Sequence, residues 1–127
     1  MIKESPFVDK KPFLENESAF AIEDGYPISP GHSLVVPKLQ VKSIFDLNEG
    51  DYLNCFKLVA EVKKYLEEKC GCQNFNIGIN NGELAGQTVE HAHIHVIPRY
   101  SKDIEDPRGG VRNILKDESG YLWVISK

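Results

Sequence analysis

Residues 91–98 carry the feature that most restricts the fold of this 127-residue chain. Histidine occupies positions 91, 93 and 95, and Ala92, Ile94 and Val96 alternate with them. Successive side chains of a β-strand point to opposite faces, so the spacing predicts a strand with three imidazoles on one face and apolar groups on the other. Pro98 ends the predicted strand. One face of the resulting sheet is core and the other is chemical.

A second periodic segment, residues 51–69, predicts one long helix. Its apolar residues recur at three- and four-residue steps, which marks a single buried face: Tyr52, Cys55, Phe56, Val59, Val62 and Leu66. Asp51 suits the positive end of the helix dipole, Lys69 suits the negative end, and Gly71 stands where a left-handed cap is expected. We interpret the helix as scaffold and Cys55 as a small core residue, in preference to a reactive thiol.

Three further runs predict strands at residues 18–23, 33–37 and 75–79, each closed by turn residues. His32 therefore lies at the mouth of the second of these strands. The polar tail contains a turn at residues 107–110 and is expected to wrap over the site or a partner. Residues 121–125 are predicted to form a final strand or a docking segment.

The bulk composition indicates a single domain spanning residues 1–127. The absence of a long apolar run or signal-like leader predicts no membrane segment and a cytoplasmic protein, in which the three cysteines are free thiols. The net charge of -4, from 15 basic and 19 acidic residues, argues against broad binding of nucleic acid. The negative charge of an anionic substrate must therefore be neutralised by a few nearby side chains or by a metal ion that binds together with the substrate.

The clustered histidines have three interpretations. A purely structural role is disfavoured, because three of only four histidines at alternate positions make a poor hydrophobic surface. A zinc site is the second, with His32 as an added ligand. This interpretation lacks supporting ligands, because Glu90 points to the opposite face and no other nearby Cys, Asp or Glu lies at a spacing typical of metal ligands. We therefore expect no metal site.

Covalent catalysis at phosphorus is the third interpretation. A neutral imidazole nitrogen attacks and a neighbouring imidazolium protonates the leaving oxygen. Crowded like charges depress one another's pKa, which holds one histidine neutral beside a protonated one. Gln87 would share the face of the histidines if the strand extends back, and would offer its amide to a phosphate, while Gly86 permits close backbone approach.

The motif formed by residues 91–97 resembles the signature of the histidine triad (HIT) family, in which histidines alternate with apolar residues. Other blocks occur in the family's order: Asp24, residues 30–32, 75–80, 86–89 and 97–99. Residues 106–112 resemble the tail of bacterial members of the diadenosine-polyphosphate hydrolase type. The resemblance implies the α+β HIT fold, an antiparallel sheet with one long helix. It also implies a homodimer whose sheets join.

The resemblance further implies catalytic roles at the matching positions. His93 is the nucleophile on the α-phosphate and forms a nucleotidyl-histidine intermediate that water resolves. His95 hydrogen-bonds the phosphate oxygens or the leaving group, and His91 and His32 orient and tune the set. Gln87 holds the phosphate.

Substrate-binding roles follow from the same matches. Gly86, Thr88 and Val89 hold the phosphate together with Gln87, and Asp24 and Asn80 lie near the ribose or the phosphate. Asp24 and Asn80 replace an asparagine and a glutamine of the fragile-histidine-triad hydrolases, so the preferred polyphosphate length stays open.

Thr88 and residues 97–99 differ from the phosphoramidase branch of the family, which tends to have serine and a glycine pair there. The candidate cations for a polyphosphate are Arg99, Arg108 and Arg112, because guanidinium groups match phosphate oxygens. We expect no tightly bound cofactor and no structural zinc, although a magnesium ion arriving with the substrate would offset its charge.

The sequence thus predicts a nucleotide hydrolase that attacks the α-phosphate of a dinucleoside polyphosphate such as diadenosine tetraphosphate. Its partner would be a purine nucleotide or dinucleoside polyphosphate, with no nucleic acid. A nucleoside phosphoramidase or nucleotidyl transferase is the first alternative. A nucleotide-binding regulatory protein that keeps the histidines only as a pocket is an alternative of another class.

Overall fold

The computed structural model describes residues 4–115, so the strand predicted for residues 121–125 lies outside the described residues. The strands are β1 (Leu14–Glu15), β2 (Ala19–Glu23), β3 (Ser33–Pro37), β4 (Asn74–Gly78) and β5 (Ile94–Arg99). The long helix is α1 (Glu49–Cys70), and 3-10 turns lie at Ile44–Asp46, Glu83–Ala85 and Gly110–Leu115.

The five strands form one sheet in the order β1-β2-β3-β5-β4, and every neighbouring pair is antiparallel. Helix α1 packs on one face of this sheet, against β1, β2, β3 and β5. The predicted α+β fold with an antiparallel sheet and one long helix is confirmed. Because β5 lies between β3 and β4, it is an interior strand that is hydrogen-bonded on both sides.

Helix α1 ends at the glycine predicted as its cap and begins at an asparagine that the sequence analysis did not identify. The Asn48 side chain accepts a hydrogen bond from the Asp51 N–H at 2.8 Å, and Gly71 adopts a left-handed conformation with φ 68°. The predicted buried face was wrong at Phe56, which is 37% exposed, while Leu58 is fully buried. Among the described residues no helix combines the length and the apolarity needed to cross a membrane.

The buried face of α1 consists of residues at helical spacing: Cys55, Leu58, Val59, Val62 and Leu66. Cys55 has no exposed surface, and burial, followed by the nearby Asp51 carboxylate, raises the pKa of its thiol to about 11. The thiol therefore stays protonated at neutral pH, in agreement with the core role predicted for it.

The two faces of the sheet hold two separate apolar clusters. Ile94 and Val96 of β5 belong to the large cluster under α1. On the opposite face, Ile22 and Leu34 pack with Phe7, which comes from the segment before β1. The helix covers one face and the N-terminal segment covers part of the other, so the alternating residues of β5 lie on different faces, with Ile94 and Val96 under the helix and His95 opposite.

The predicted boundaries of the histidine strand were wrong at both ends. The sheet strand starts at Ile94, because the N–H of Ala92 donates to the carbonyl of Val41 at 2.8 Å instead of joining a ladder. The strand also continues through Pro98. β3 pairs with β5 only as far as Val96, so a proline without an N–H is tolerated beyond that point.

Candidate functional site

The three alternating histidines reach the same side of the molecule but do not share one environment. His95 lies in β5, opposite Leu34 of β3, whereas His91 and His93 precede the strand. His93 and His95 line a cavity of about 340 Å³, and their ring centroids are 5.1 Å apart. His91 is only 1% exposed and does not line that cavity. Alternation therefore brings two imidazoles, not three, to the open site.

The ring of His91 is held at both nitrogens. Its Nε2 lies 2.7 Å from the carbonyl oxygen of Pro37, and its Nδ1 lies 2.6 Å from the hydroxyl of Ser5. A carbonyl oxygen only accepts, so Nε2 carries the proton and donates to Pro37, and Nδ1 accepts from Ser5. Burial lowers the pKa of His91, and the hydrogen bond to Pro37 opposes this shift. His91 is therefore a neutral, fully bonded support.

The ring of His93 is oriented by the backbone of His91. Its Nδ1 lies 2.9 Å from the His91 carbonyl oxygen and donates to it. The ring of Phe7 contacts it edge-on, with centroids 5.0 Å apart. Because Nδ1 carries the proton, Nε2 on the opposite edge of the ring keeps a lone pair. The neutral form of His93 therefore presents its free nitrogen, Nε2, at the wall of the cavity.

His95 is linked to His32 and Asp24. The N–H of Ile28 donates to His32 Nδ1 at 3.2 Å, so the proton of His32 lies on Nε2. The Nε2 atom of His32 lies 3.0 Å from Nδ1 of His95 and 3.2 Å from the carboxylate of Asp24. The Nδ1 atom of His95 accepts a hydrogen bond from the Nε2–H of His32. The ring proton of His95 is therefore on Nε2, which can donate to a ligand.

The pKa of His95 is lowered to about 4, chiefly by burial and then by the nearby charges of His93 and His32. The Asp24 carboxylate opposes this shift. Burial also lowers the pKa of His32, again opposed by Asp24. The expectation that crowding depresses the pKa values holds, but desolvation is the larger cause. Without a ligand, His95 is neutral at neutral pH.

Gln87 does not lie on a strand, as the extension of β5 would have required. It follows the 3-10 turn Glu83–Ala85, and its amide binds the surrounding loop. The Oε1 atom accepts from the Gly82 N–H at 2.8 Å, while Nε2 donates to the carbonyls of Lys42 and Val89 at 2.8 and 2.9 Å. Both amide protons are thus used inside the protein, and Gln87 shapes the loop beside the cavity.

The remaining predicted binding residues all lie at the cavity of His93 and His95. They are Asp24, Asn80, Gly86, Thr88 and Val89. Gly86 has φ 98°, a conformation that a residue with a side chain rarely adopts. Gly86 therefore maintains the turn that places the following residues along the cavity wall.

The N-terminal segment contributes residues that the sequence analysis did not identify. Phe7 and Lys10 line the same cavity, and Nζ of Lys10 lies 3.4 Å from the position that a Cβ on Gly25 would take. Lys10 is the only lysine or arginine among the residues that line this cavity within the described chain. Residues 5–10 show no periodicity, so only their position in the fold could reveal this role.

A second cavity, of about 540 Å³, opens beside His95. It shares Asp24, Tyr26 and Asn80 with the first cavity but is not lined by His93. Its apolar wall includes Val111 and Ile114 from the 3-10 turn after the sheet. The segment after β5 therefore returns to the site, as expected for the part of the tail that the structure describes.

The arginines proposed as phosphate ligands are placed differently. Arg99 binds the carboxylate of Asp103 with two nitrogens, each at 2.8 Å, and Asn76 at 2.6 Å. Arg108 binds Asp106, with a shortest distance of 2.8 Å. Neither arginine lines the cavity of His93. Arg112 is likewise absent from that lining.

One group within the described residues has the composition of a metal site. Asp24, His32 and His95 each offer a ligand atom, and these atoms all lie within 4.8 Å of one another. The hydrogen bonds described above already use both nitrogens of His32 and Nδ1 of His95. A metal ion bound there would have to replace these bonds.

Comparison with known proteins identifies the family. The HIT domain matches residues 6–102. An uncharacterized HIT-like protein of Methanocaldococcus jannaschii is 38% identical over 112 residues, covering 87% of this chain and 86% of that protein. A HIT family protein from Bacillus anthracis has a TM-score of 0.70 at 34% identity, covering 76% of this chain and 68% of that chain.

Two relatives carry the names of enzymes. A bis(5'-adenosyl)-triphosphatase of Dictyostelium discoideum is 36% identical over 94 residues, which cover 74% of this chain and 63% of that protein. An asymmetrical bis(5'-nucleosyl)-tetraphosphatase of Schizosaccharomyces pombe is 35% identical over 99 residues, covering 78% of this chain and 54% of that protein. The chain thus spans less than two thirds of either enzyme. Its sequence, its fold and its histidine site agree: the chain belongs to the HIT domain family.

Proposed function

We propose that the protein is a nucleotide hydrolase that attacks the α-phosphate of a dinucleoside polyphosphate through a nucleotidyl-His93 intermediate. The carrying observation is the hydrogen bond from His93 Nδ1 to the His91 carbonyl at 2.9 Å, which leaves the lone pair on Nε2. The names of the two enzyme relatives supply the substrate class.

The first cavity suits the nucleotide that is transferred. Its apolar wall, formed by Phe7, Ile22 and Leu34, offers a surface for a purine ring. Asp24 and Asn80 at the same cavity are polar partners for ribose hydroxyls. The nucleotide would therefore lie with its base against the N-terminal segment and its α-phosphate at His93.

In the first step, Nε2 of His93 attacks the α-phosphorus. A P–N bond forms, the P–O bond to the leaving polyphosphate breaks, and that oxygen retains the electron pair. The ring becomes a cation, which the His91 carbonyl stabilises through the Nδ1–H bond. The Nε2–H of His95 donates to a phosphate oxygen as negative charge develops there.

In the second step, water attacks the same phosphorus and the P–N bond breaks. The nucleoside monophosphate leaves, the water proton passes to solvent or to phosphate, and His93 returns to its neutral form. A polyphosphate leaves as a stable anion, whereas the amine of a phosphoramidate needs a proton. With a pKa of about 4, free His95 carries no second proton at neutral pH that it could give to an amine, which supports the polyphosphate as substrate.

The scarcity of cationic side chains at the first cavity supports a substrate that binds together with a metal cation. Lys10 is the only lysine or arginine among the described residues at the first cavity. A magnesium ion bound to the polyphosphate would offset the remaining charge without dedicated protein ligands. We place the rest of the substrate in the second cavity, because in-line displacement directs the leaving group away from His93 and this cavity opens beside His95.

Product analysis on diadenosine tetraphosphate and an adenosine phosphoramidate, side by side, tests the proposal. We expect faster turnover of the tetraphosphate, with a stoichiometric burst of nucleotidyl-protein that decays at the turnover rate. Faster turnover of the phosphoramidate would select the phosphoramidase alternative. Binding of adenine nucleotides without turnover would select the regulatory alternative and overturn the hydrolase.

We also infer a homodimer formed through β4. This strand is an edge of the sheet, and its Ile77 side chain is 39% exposed. An open edge strand with exposed apolar side chains favours pairing with a second copy. Sedimentation equilibrium should give twice the chain mass, and Ile77→Asp should shift the protein toward monomer. A monomeric wild-type protein would overturn the inference.

A further inference from the structure

Ser5 is joined to the histidine site across 86 positions of sequence. It is only 4% exposed, and its hydroxyl donates to Nδ1 of His91 at 2.6 Å. The same oxygen accepts the N–H of Phe7 at 3.1 Å. One buried hydroxyl therefore bonds both a histidine and the backbone of the segment that covers the site.

Each of the two hydrogen bonds of the Ser5 hydroxyl acts on a residue that contacts His93. Through the first, Ser5 and the carbonyl of Pro37 hold the ring of His91 from both sides. The carbonyl of His91 in turn accepts the Nδ1–H of His93 at 2.9 Å. Ser5 thus acts on the residue whose backbone sets the tautomer of His93.

The second bond leads to His93 through Phe7. The ring of Phe7 meets that of His93 edge-on, at 5.0 Å and an interplanar angle of 69°, and lies 5.7 Å from the ring of His91. The bond from the Phe7 N–H to Ser5 fixes the backbone that carries this ring. Losing the hydroxyl would loosen both groups that orient His93.

We propose that Ser5 is a positioning residue, which holds His93 in its attacking orientation through His91 and Phe7 without touching the substrate. Its removal leaves Nδ1 of His91 without a donor in a buried site, where an unpaired polar atom is unfavourable. The ring and the attached backbone shift to relieve this, and His93 loses its alignment. The kinetic consequence rests on the proposed function, but the change in the two rings does not.

The test compares Ser5→Ala with Ser18→Ala. Ser18 is a matched control because it is 6% exposed and its hydroxyl also makes two hydrogen bonds, to Asp51 at 2.7 Å and from Asn54 at 2.8 Å. Both of these partners lie in helix α1 and not at the histidines. Ser5→Cys keeps the size of the side chain with a weaker donor, and gives an intermediate case if the alanine variant folds poorly.

We expect Ser5→Ala to lower kcat by roughly 10- to 100-fold, as misalignment of a nucleophile does, with KM changed by less than about 3-fold. Ser5→Cys should fall between it and the wild type, and Ser18→Ala should keep the wild-type kcat. Nitrogen NMR of the imidazoles should show His91 Nδ1 moving toward an unbonded nitrogen, together with a change at His93.

Wild-type kcat in Ser5→Ala, or unchanged His93 nitrogen signals, would overturn the positioning role. An equal loss of kcat in Ser18→Ala would do the same, because it would show a general effect of stability. If the wild type turns over no nucleotide, the proposed function fails while the NMR comparison still decides the role of Ser5.

Discussion

The two faces of the sheet differ in how their buried groups are held. Under α1, Ile94 and Val96 are fully buried among apolar side chains, and the contacts are non-directional. On the other face, His91 is buried as deeply but is fixed by directional bonds to Ser5 and Pro37. The first kind of packing tolerates small shifts, whereas the second sets the tautomer of each ring. Strand β5 and the residues just before it contribute to both, so the helix face stabilises the fold and the opposite face holds the candidate site.

The largest expected effect is that of His93→Ala. The substitution removes the nucleophile and leaves the cavity, so kcat should fall by at least about 10³-fold while nucleotide binding changes little. Steady-state kinetics and calorimetric titration with a nucleotide measure the two quantities separately. The free energy of unfolding should stay close to that of the wild type, since His93 is only partly buried. Residual activity above a few per cent would remove His93 from the role of nucleophile.

Leu58→Ala makes the complementary change on the helix face. Leu58 has no exposed surface, so the cavity left behind should lower the free energy of unfolding by about 2–5 kcal/mol. The kcat of the folded fraction should stay within about twofold of the wild type, because no bond to a histidine is lost. Urea unfolding and kinetics below the transition measure these effects. A selective loss of kcat in the folded protein would show that the two faces are coupled.

The pH dependence of stability isolates His95. Its pKa is about 4 in the folded protein and near its ordinary 6.5 when unfolded, so between these values the unfolded chain binds more protons. Neutral His95 therefore adds to the free energy of unfolding above pH 6.5, and this contribution is lost as the pH falls toward 4. It amounts to roughly 3 kcal/mol at most.

The His95→Gln variant serves as the reference for this measurement. Urea unfolding at pH 7.5 and 4.5 should show a smaller loss of stability in the variant than in the wild type. His32 contributes to the loss in both proteins, so the difference between the two proteins is the informative quantity. An equal loss in both would mean that His95 is not held neutral by the fold.

The sequence was sufficient where the signal is periodic and local. Helix α1 follows from the spacing of its own apolar residues and strand β3 from its β-branched residues, and the alternating histidines indicated the face of β5 that holds the candidate site. The start of β5 did not follow, because the bond from Ala92 to Val41 removes the preceding residues from the ladder. Nor could spacing separate a buried His91 from an accessible His93.

The residues that distinguish these histidines lie far away in the sequence. Pro37 and Ser5 bond the ring of His91 from 54 and 86 positions away. Phe7 and Lys10 reach the cavity only because the segment before β1 folds across the sheet. No local pattern of hydrophobicity or charge marks such a segment, so the N-terminal part of the site required the fold itself.

The smallest expected effect is that of Lys10→Ala, which separates binding from both stability and chemistry. Lys10 is exposed, and among the described residues it is the one lysine or arginine that lines the first cavity. Its loss should therefore raise KM for diadenosine tetraphosphate by roughly 10-fold with little change in kcat. Lys11→Ala is the matched control, because Lys11 is also exposed but lines a different cavity, with Tyr65 and Cys70. An adenosine phosphoramidate carries less charge and should lose less affinity. Equal effects of the two lysine variants would indicate general charge attraction, because only a local contact distinguishes Lys10 from its neighbour.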